Sequence, residues 1–470
     1  MKKILLTLLT ALSALGPGVV CSAQEETPSK VKLYGFIRNY MVFDTHEVSA
    51  GTQDLYFYMP KDRKMVDGVD QNAEPSFRML ALTTRLGLNI DGYRIGGLQV
   101  TGNIEADFYC MSGSLATLRL RHAYVGLLWD NLELGDLLVN IGQTWHPMAA
   151  DMPHVTNQET GAPFNPFNRS PQVMFHWNVG KFTWTGGILY PMQYLPVGPA
   201  YTTNPVWTDF TGKDEPRTSY STTKSTEFNK YGMIPEVYLG VSFQSGGFLG
   251  KAGANFFSIM PRWQAPAITI VDEATKELSF DYVHTSMLKE RLYAISPFLF
   301  LQYTKGSFQI KAKSILAQSG EHMTLLSGYA GTYNWGRHAL EYTPMQDWAS
   351  FLSFQAGRKF QFLCMLGYMQ QLGTTKSVFA SSTNNTLWLN TSADNKIQRA
   401  FRATPTLAYN LGKLTFSLEY NCTGAWFGEG DRTRGGLYGT GHGVLNHRIE
   451  QMVKFNFEQQ QLLEIKYPGR

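Results

Sequence analysis

The sequence lacks several features that define common classes of protein. After residue 23, no stretch approaches the roughly eighteen consecutive apolar residues of a membrane-spanning helix, which excludes a helical membrane protein. Only 4 cysteines occur in 470 residues, and without CxxC or zinc-type Cys/His spacing we expect neither a disulfide framework nor a zinc site. The HExxH, GxSxG and Walker patterns are also missing, so we expect neither an enzyme nor a cofactor.

Charge of one sign is not in excess either. The chain carries 41 lysine and arginine residues against 37 aspartate and glutamate residues. Because proteins that bind nucleic acid present a strongly basic surface, this balance gives no support to such a partner.

The chain is instead rich in aromatic residues and begins with an export signal. Aromatic residues make up 13% of the sequence, and 44 residues are glycine. Two lysines precede an apolar run over residues 4–15, and small residues follow, so we predict a signal peptide over residues 1–23. Lipid attachment at Cys21 is the alternative, which the bulky Val20 disfavours. An exported chain of this composition is either a large secreted β-protein or an outer-membrane barrel.

Alternation of apolar and polar residues recurs along the chain. In LQVTGNIEADF (98–108) and LTFSLEYNC (414–422) the period is two, as on a strand with one apolar and one polar face. Segments of about ten such residues cross a bilayer when tilted. The pattern predicts sixteen strands, near residues 31–44, 79–91, 96–110, 117–130, 134–146, 171–178, 180–190, 233–245, 247–259, 290–304, 307–318, 346–358, 359–371, 397–411, 413–425 and 446–458.

The connections between these strands alternate in length. Every second connection is tight, as in NVGK and NLGK, and the others are mostly long: 45–78, 147–170, 191–232, 260–289, 319–345, 372–396 and 426–445. Short turns on one side and long loops on the other are typical of an outer-membrane barrel. We therefore predict an all-β protein, a transmembrane antiparallel β-barrel of about sixteen strands over residues 24–458, with short periplasmic turns, long extracellular loops and a short periplasmic tail at 459–470. A soluble β-sandwich is the alternative, but it has no reason to segregate its loops.

Five short motifs in the first part of the chain carry a resemblance to a known family. They are TRLGLNIDG (84–92), NIEADFY (103–109), LRLRHAYVGL (118–127), IGQTWHPM (141–148) and NPFNRSPQV (165–173). In this order they resemble the DcaP-like porins, a family of trimeric, sixteen-stranded porins of Gram-negative outer membranes. The resemblance implies passive diffusion of small hydrophilic solutes, with Arg119 and Arg121 on the barrel wall attracting anions such as dicarboxylates. Strand parity turns His122 the other way. The chain ends LLEIKYPGR, which departs from the aromatic terminal residue common in barrels.

Strand parity predicts which charged residues face the lumen. They include Arg85, Glu105, Asp107, Arg119, Arg121, Lys311 and Lys313. Glu105 and Asp107 lie beside Arg119 and Arg121 on neighbouring strands, which indicates an ion-pair ladder or, alternatively, a split field of acids facing bases that favours one ion sign. Lys311 and Lys313 have no inward acid beside them, which favours the second interpretation.

The loop 147–170 is the best candidate for a constriction of the pore. It follows the fifth strand, and its three prolines would stiffen a segment folded into the lumen. Asp151, His154, Glu159 and Arg169 would then narrow and charge the opening. An ordinary external loop or a contact between subunits is the alternative.

These patterns together predict a porin of the Gram-negative outer membrane. We expect passive diffusion of small hydrophilic solutes with a mild anion preference, outer-membrane lipid around the barrel, and a homotrimer. The alternative is a cell-surface binding protein, an adhesin or a glycan-capturing barrel, whose long loops carry Trp207, Trp263, Trp335 and Trp388.

Overall fold

Sixteen antiparallel strands close into one barrel. The chain is described by a computed structural model over residues 30–50, 57–109, 117–203, 207–208, 214–215, 218–378, 388–389, 397–431 and 436–458. The predicted signal peptide and C-terminal tail lie outside the described residues.

The barrel strands follow one another around the wall in chain order. Their bounds are β1 Lys30–Asp44, β2 Arg85–Ile95, β3 Leu98–Tyr109, β4 Thr117–Leu132, β5 Gly135–Trp145, β6 Arg169–Val179, β7 Phe182–Leu189, β8 Glu236–Ser245, β9 Phe248–Ile259, β10 Leu292–Lys305, β11 Phe308–Gln318, β12 Ala339–Gly357, β13 Phe360–Thr374, β14 Ile397–Ala403 continued by Thr406–Leu411, β15 Leu414–Asp431 and β16 Gly436–Glu458. Strand β1 pairs with both β2 and β16, which closes the sheet. The predicted fold class and the count of sixteen strands are confirmed.

The predicted strand bounds are mostly within a few residues of the observed ones, but β12, β15 and β16 are longer than predicted and two other strands are interrupted. The predicted strand 79–91 is two strands, Ser76–Leu80 and β2, and both pair with β1. Strand β14 is interrupted before Thr406, because Pro405 has no N–H to donate to a neighbouring strand.

The outer face of the barrel is apolar and the inner face is not. Strand β10 shows this most clearly, because exposed residues alternate along it with buried or half-buried ones. Its outward residues Tyr293, Ile295, Leu299 and Leu301 are 40–53% exposed. A closed barrel leaves no unpaired strand edge, so a surface of this kind lies stably against lipid. The protein is therefore an integral protein of the Gram-negative outer membrane.

Short turns and long connections alternate as predicted. Gly180, Gly246, Gly306 and Gly412 lie in four of the tight turns with φ of 56–62°, a left-handed conformation that glycine adopts without steric cost. The predicted loops 319–345 and 426–445 are shorter than expected, since β12, β15 and β16 extend into them.

The long connections contain short elements that alternation did not predict. Five are hairpins: Val48–Ala50 with Phe57–Pro60, Met65–Val66 with Val69–Asp70, Val197–Thr203 with Thr218–Lys224, Trp207–Thr208 with Asp214–Glu215, and Gln264–Asp272 with Glu277–Met287. Two are strands that pair with each other, Tyr329–Asn334 and Trp388–Leu389. The others are the α-helix Glu227–Gly232 and the 3-10 turns Gln158–Gly161 and Glu321–Met323. None of the helices in the described ranges is long and apolar enough to span a membrane. Phe228, Trp263, Tyr329 and Tyr342 pack in a second apolar core where these connections meet the barrel.

Candidate functional site: the charged lumen of the barrel

Ion pairs between β3 and β4 line one side of the lumen. Arg119 makes two hydrogen bonds of 3.0 Å to the Asp107 carboxylate. Arg121 donates to Glu105 at 2.6 Å and to Asp107 at 2.8 Å. This geometry is the cross-strand ladder that the sequence allowed, and such paired charges keep a polar wall ordered.

A β-bulge in β4 changes which residues of that strand face inward. Glu105 is opposite His122, while the next residue of β3, Ala106, is opposite Leu120, so Arg121 is the extra residue. Leu118 and Leu120 point outward before the bulge, whereas Val125 points outward after it. The expectation that His122 faces away from Arg121 is therefore wrong. The His122 ring is buried, its Nδ1 lies 3.0 Å from the Thr144 hydroxyl, and its Nε2 lies 3.7 Å from Glu105.

Further basic side chains extend this wall on both sides. Arg85 of β2 lies 3.5 Å from Glu105, whose other oxygen accepts a hydrogen bond from the Tyr34 hydroxyl. The sequence predicted Arg169 in the loop 147–170, but Arg169 is the first residue of β6. It stacks 3.7 Å from the Trp145 ring centre and donates to Gln193. Its Nε and Nη2 are buried and have no hydrogen-bond partner among the described residues.

The loop between β5 and β6, residues 146–168, lies inside the barrel against the opposite wall, and we call it the inner loop. Its backbone and side chains bond to strands distant in sequence. The Thr156 N–H donates to Glu419 of β15, and the Asn157 amide donates to Glu450 of β16. Arg402 of β14 donates to the Thr160 and Ala162 carbonyls. The inner loop thus crosses the lumen.

Two lysines of β11 also hold the inner loop. Lys311 donates to the Met152 carbonyl at 3.0 Å. Lys313 donates to the Met148 carbonyl and, at 3.0 Å, to the Asn165 side chain. The expectation that these lysines lie without acidic neighbours is only partly met, because Asp151 of the loop interacts electrostatically with both and pairs with Lys251 of β9 at 2.6 Å.

The remaining predicted loop residues contribute differently. The His154 backbone N–H donates to Ser353 of β12. Burial, together with the Lys311 charge, lowers the pKa of His154 to about 4, so its ring is neutral at neutral pH. The Glu159 side chain lies outside the described part of the chain.

Two histidines and a glutamate connect the inner loop to a second loop. Glu236 of β8 accepts from His146 at 3.2 Å, from His322 at 3.0 Å and from Asn255 at 2.5 Å. His322 belongs to the loop 319–328, which we call the covering loop. This cluster was not predicted as a site, since nothing in the sequence links His322 to a strand end.

The covering loop also bonds directly to the inner loop. The Phe167 N–H donates to the Met323 carbonyl at 2.9 Å, and the Asn168 amide donates to the His322 carbonyl at 2.8 Å. The position of the inner loop therefore depends on the covering loop as well as on the wall.

The most exposed charged groups around the inner loop are basic. Five inward acids, Glu105, Asp107, Glu236, Glu419 and Glu450, are buried under their partners or the inner loop, as are the bases Arg121, Lys313, Arg402 and Arg448. The side chains of Arg85, Arg119 and Lys251 are 13%, 18% and 30% exposed. The charge that reaches the lumen water at this level is therefore mainly positive.

A cavity remains beside the inner loop. It has a volume of ≈ 510 Å³ and is lined by Trp145, Pro153, His154, Gln172 and Lys311 among others. No group of three or more histidine, cysteine, aspartate or glutamate side chains in the described ranges could hold a metal ion. The site is a charged lumen that holds the inner loop, with a cavity beside that loop.

A closed sixteen-stranded barrel with a loop folded into a charged lumen is the fold of the outer-membrane porins. No protein-family model matches the sequence, and no characterised protein is detectably similar to it in sequence. The structure is similar to that of the outer membrane channel DcaP of Acinetobacter baumannii, with a TM-score of 0.58 and 14% identity over 93% of this chain and 100% of that chain. The predicted resemblance to DcaP-like porins is thus confirmed for the fold.

Two other solved outer-membrane proteins align less closely. OmpT of Vibrio cholerae has a TM-score of 0.48 and 10% identity, over 93% of this chain and 100% of that chain. The anion-selective porin from Comamonas acidovorans has a TM-score of 0.48 and 11% identity, over 91% of this chain and 100% of that chain.

Proposed function

We propose that this protein is a porin that admits small hydrophilic solutes by passive diffusion, with a mild preference for anions. The observation that carries the proposal is the partial exposure of Arg85, Arg119 and Lys251 beside acids that are buried. Buried, paired carboxylates contribute little field to the pore, whereas partly exposed guanidinium and ammonium groups attract anions. The inner loop is the proposed constriction, because it crosses the lumen between the arginine wall and the lysines of β9 and β11.

The ion preference is tested by the reversal potential of single channels in a planar bilayer under a salt gradient. We expect stepwise, steady conductance and a wild-type potential of the sign that anion flow produces. Arg119→Ala removes an exposed positive charge and exposes the charge of Asp107, so the anion-to-cation permeability ratio should fall. An unchanged ratio would contradict an electrostatic role for this wall.

Two controls separate charge from shape in that experiment. The double variant Arg119→Ala with Asp107→Asn keeps the net charge of the wall, so its ratio should return towards the wild-type value. Arg94→Ala changes an arginine near a tight turn that pairs with Asp130, and it should leave the ratio unchanged.

The same recordings test the oligomer. We propose a homotrimer, which the motif resemblance supports, and we expect conductance to appear and close in groups of three equal steps. Single independent steps, together with a monomer in chemical cross-linking, would contradict it.

A glycan-binding surface is less well supported by the loop aromatics. Trp263 is buried in the second apolar core, and Trp335 packs edge-on against Tyr333 at 5.0 Å. A folded barrel that never conducts would contradict the porin proposal and favour a function carried by the loops.

A further inference from the structure

A buried carboxylate without a partner lies on the inner face of β12, under the covering loop. Asp347 is 0% exposed. Neither of its carboxylate oxygens has a hydrogen bond, and no lysine, arginine or histidine of the described residues lies within ion-pairing distance of it. The Ser327 hydroxyl interacts with Asp347, but a single hydroxyl does not compensate a full negative charge. An ionised carboxylate in this state costs several kcal/mol unless something compensates its charge.

A second unpartnered oxygen lies beside it on the neighbouring strand. Gln371 of β13 is directly opposite Asp347 in the sheet, so both side chains leave the same face. Gln371 is 4% exposed, and its Oε1 has no donor. A neutral amide oxygen cannot relieve the charge of a carboxylate, but it can join one around a cation.

The covering loop supplies a third buried group without a hydrogen-bond partner, the Glu321 carboxylate. Both carboxylate oxygens of Glu321 are inaccessible to solvent and have no hydrogen-bond partner. The carboxylates of Glu321 and Asp347 act on each other electrostatically, so two buried acids lie near each other under the covering loop.

The nearest positive groups do not satisfy these acids. The Nε2 of His322 is already bonded to Glu236. Lys224 acts on Glu321 only through its charge, and its side chain is exposed. The described residues therefore supply no positive charge to these two acids, so their charge is neutralised either by bound protons or by a cation from outside the chain.

We propose that Asp347, Glu321 and Gln371 form a buried calcium site. The three side chains offer five oxygen atoms, with the Ser327 hydroxyl beside them, and Ca²⁺ prefers six to eight oxygen ligands in an adaptable geometry. Thiolate ligands, which softer metals prefer, are absent from this group. The ion would join the covering loop to the barrel wall and, through the Met323 and His322 carbonyls, would stabilise the inner loop.

Calcium binding is tested on protein refolded without lipopolysaccharide and freed of metal with EDTA. We expect isothermal titration with CaCl₂ to give one site per chain and the melting temperature to rise with calcium concentration, since a ligand that binds only the folded state stabilises it. Asp347→Asn should fold, lose both responses, and melt above the wild type in EDTA, because it removes an uncompensated charge.

Two further variants make the result specific. Gln371→Met keeps both acids and should weaken calcium binding without abolishing it. Asp70→Asn removes an acid in an exposed hairpin and should leave the calcium response intact. Failure of calcium to bind the wild type, a response of equal size in Asp347→Asn, or a response to zinc but not to calcium would each overturn the proposal. None of these results depends on whether the barrel conducts.

Discussion

At the scale of single residues, the wall between β3 and β4 depends on Arg121 more than on Arg119. Arg121 bonds to both Glu105 and Asp107 and is almost fully buried, whereas Arg119 bonds to Asp107, stacks on the Tyr109 ring and is 18% exposed. A charge that has lost its partner in a buried site costs far more than one that water can still solvate. The two arginines, only two positions apart, therefore differ in what their loss leaves behind.

We expect Arg121→Ala to destabilise the barrel by about 3–5 kcal/mol, as breaking a buried ion pair does elsewhere. Arg119→Ala should cost clearly less. The measurement is reversible urea unfolding in detergent micelles, followed by tryptophan fluorescence. Adding Glu105→Gln to Arg121→Ala should recover part of the lost stability. Equal losses of stability in Arg121→Ala and Arg119→Ala would contradict the expected difference between the two arginines.

At the scale of elements, the inner loop keeps its place through hydrogen bonds from wall side chains to its backbone carbonyls. Lys313 is central, because it is buried and bonds to two points of the loop. Glycine assists on β13, where a Cβ at Gly367 would overlap the Phe164 ring of the loop. A loop held in this way has few alternative positions while its donors remain.

We expect Lys313→Met to release part of the inner loop and to raise the single-channel conductance. Removing the donor leaves the buried Met148 carbonyl unpaired, at a cost of about 1–3 kcal/mol that favours movement of the loop towards water. Lys305→Met, at the exposed end of β10, is the matched control and should conduct like the wild type. A conductance unchanged in Lys313→Met would show that the other bonds suffice.

At the scale of the whole molecule, the barrel separates lipid from the lumen, because side chains along each strand point alternately to the two sides. Leu299 lies near the middle of β10 on the lipid face, and Gln302 lies on the inner face of the same strand. We expect Leu299→Arg to destabilise the barrel by about 2–4 kcal/mol, the cost of a basic side chain near the bilayer midplane. Gln302→Arg should be tolerated. Folding into lipid vesicles, followed by heat-modifiable mobility on gels, distinguishes the two.

The same alternation explains how far the sequence could predict this structure. Period-two patterning and turn lengths sufficed to predict sixteen strands, because each strand contacts lipid on one face. The bulge in β4 was not predictable, since one inserted residue leaves the composition of the strand unchanged and only reverses the parity after Arg121. The bonds of His322 and Glu450 to the inner loop were not predictable either, because they join residues whose separation in sequence carries no pattern.

These long separations bear on the order in which the molecule is completed. Asn157 and its partner Glu450 are 293 residues apart, and Thr156 and Glu419 are 263 apart. The inner loop follows only the fifth strand, yet these two acids and Arg402 lie on the last three strands of the chain. This set of bonds can therefore form only when the barrel is nearly closed, so the final seating of the inner loop against that side of the wall belongs to the last stage of assembly.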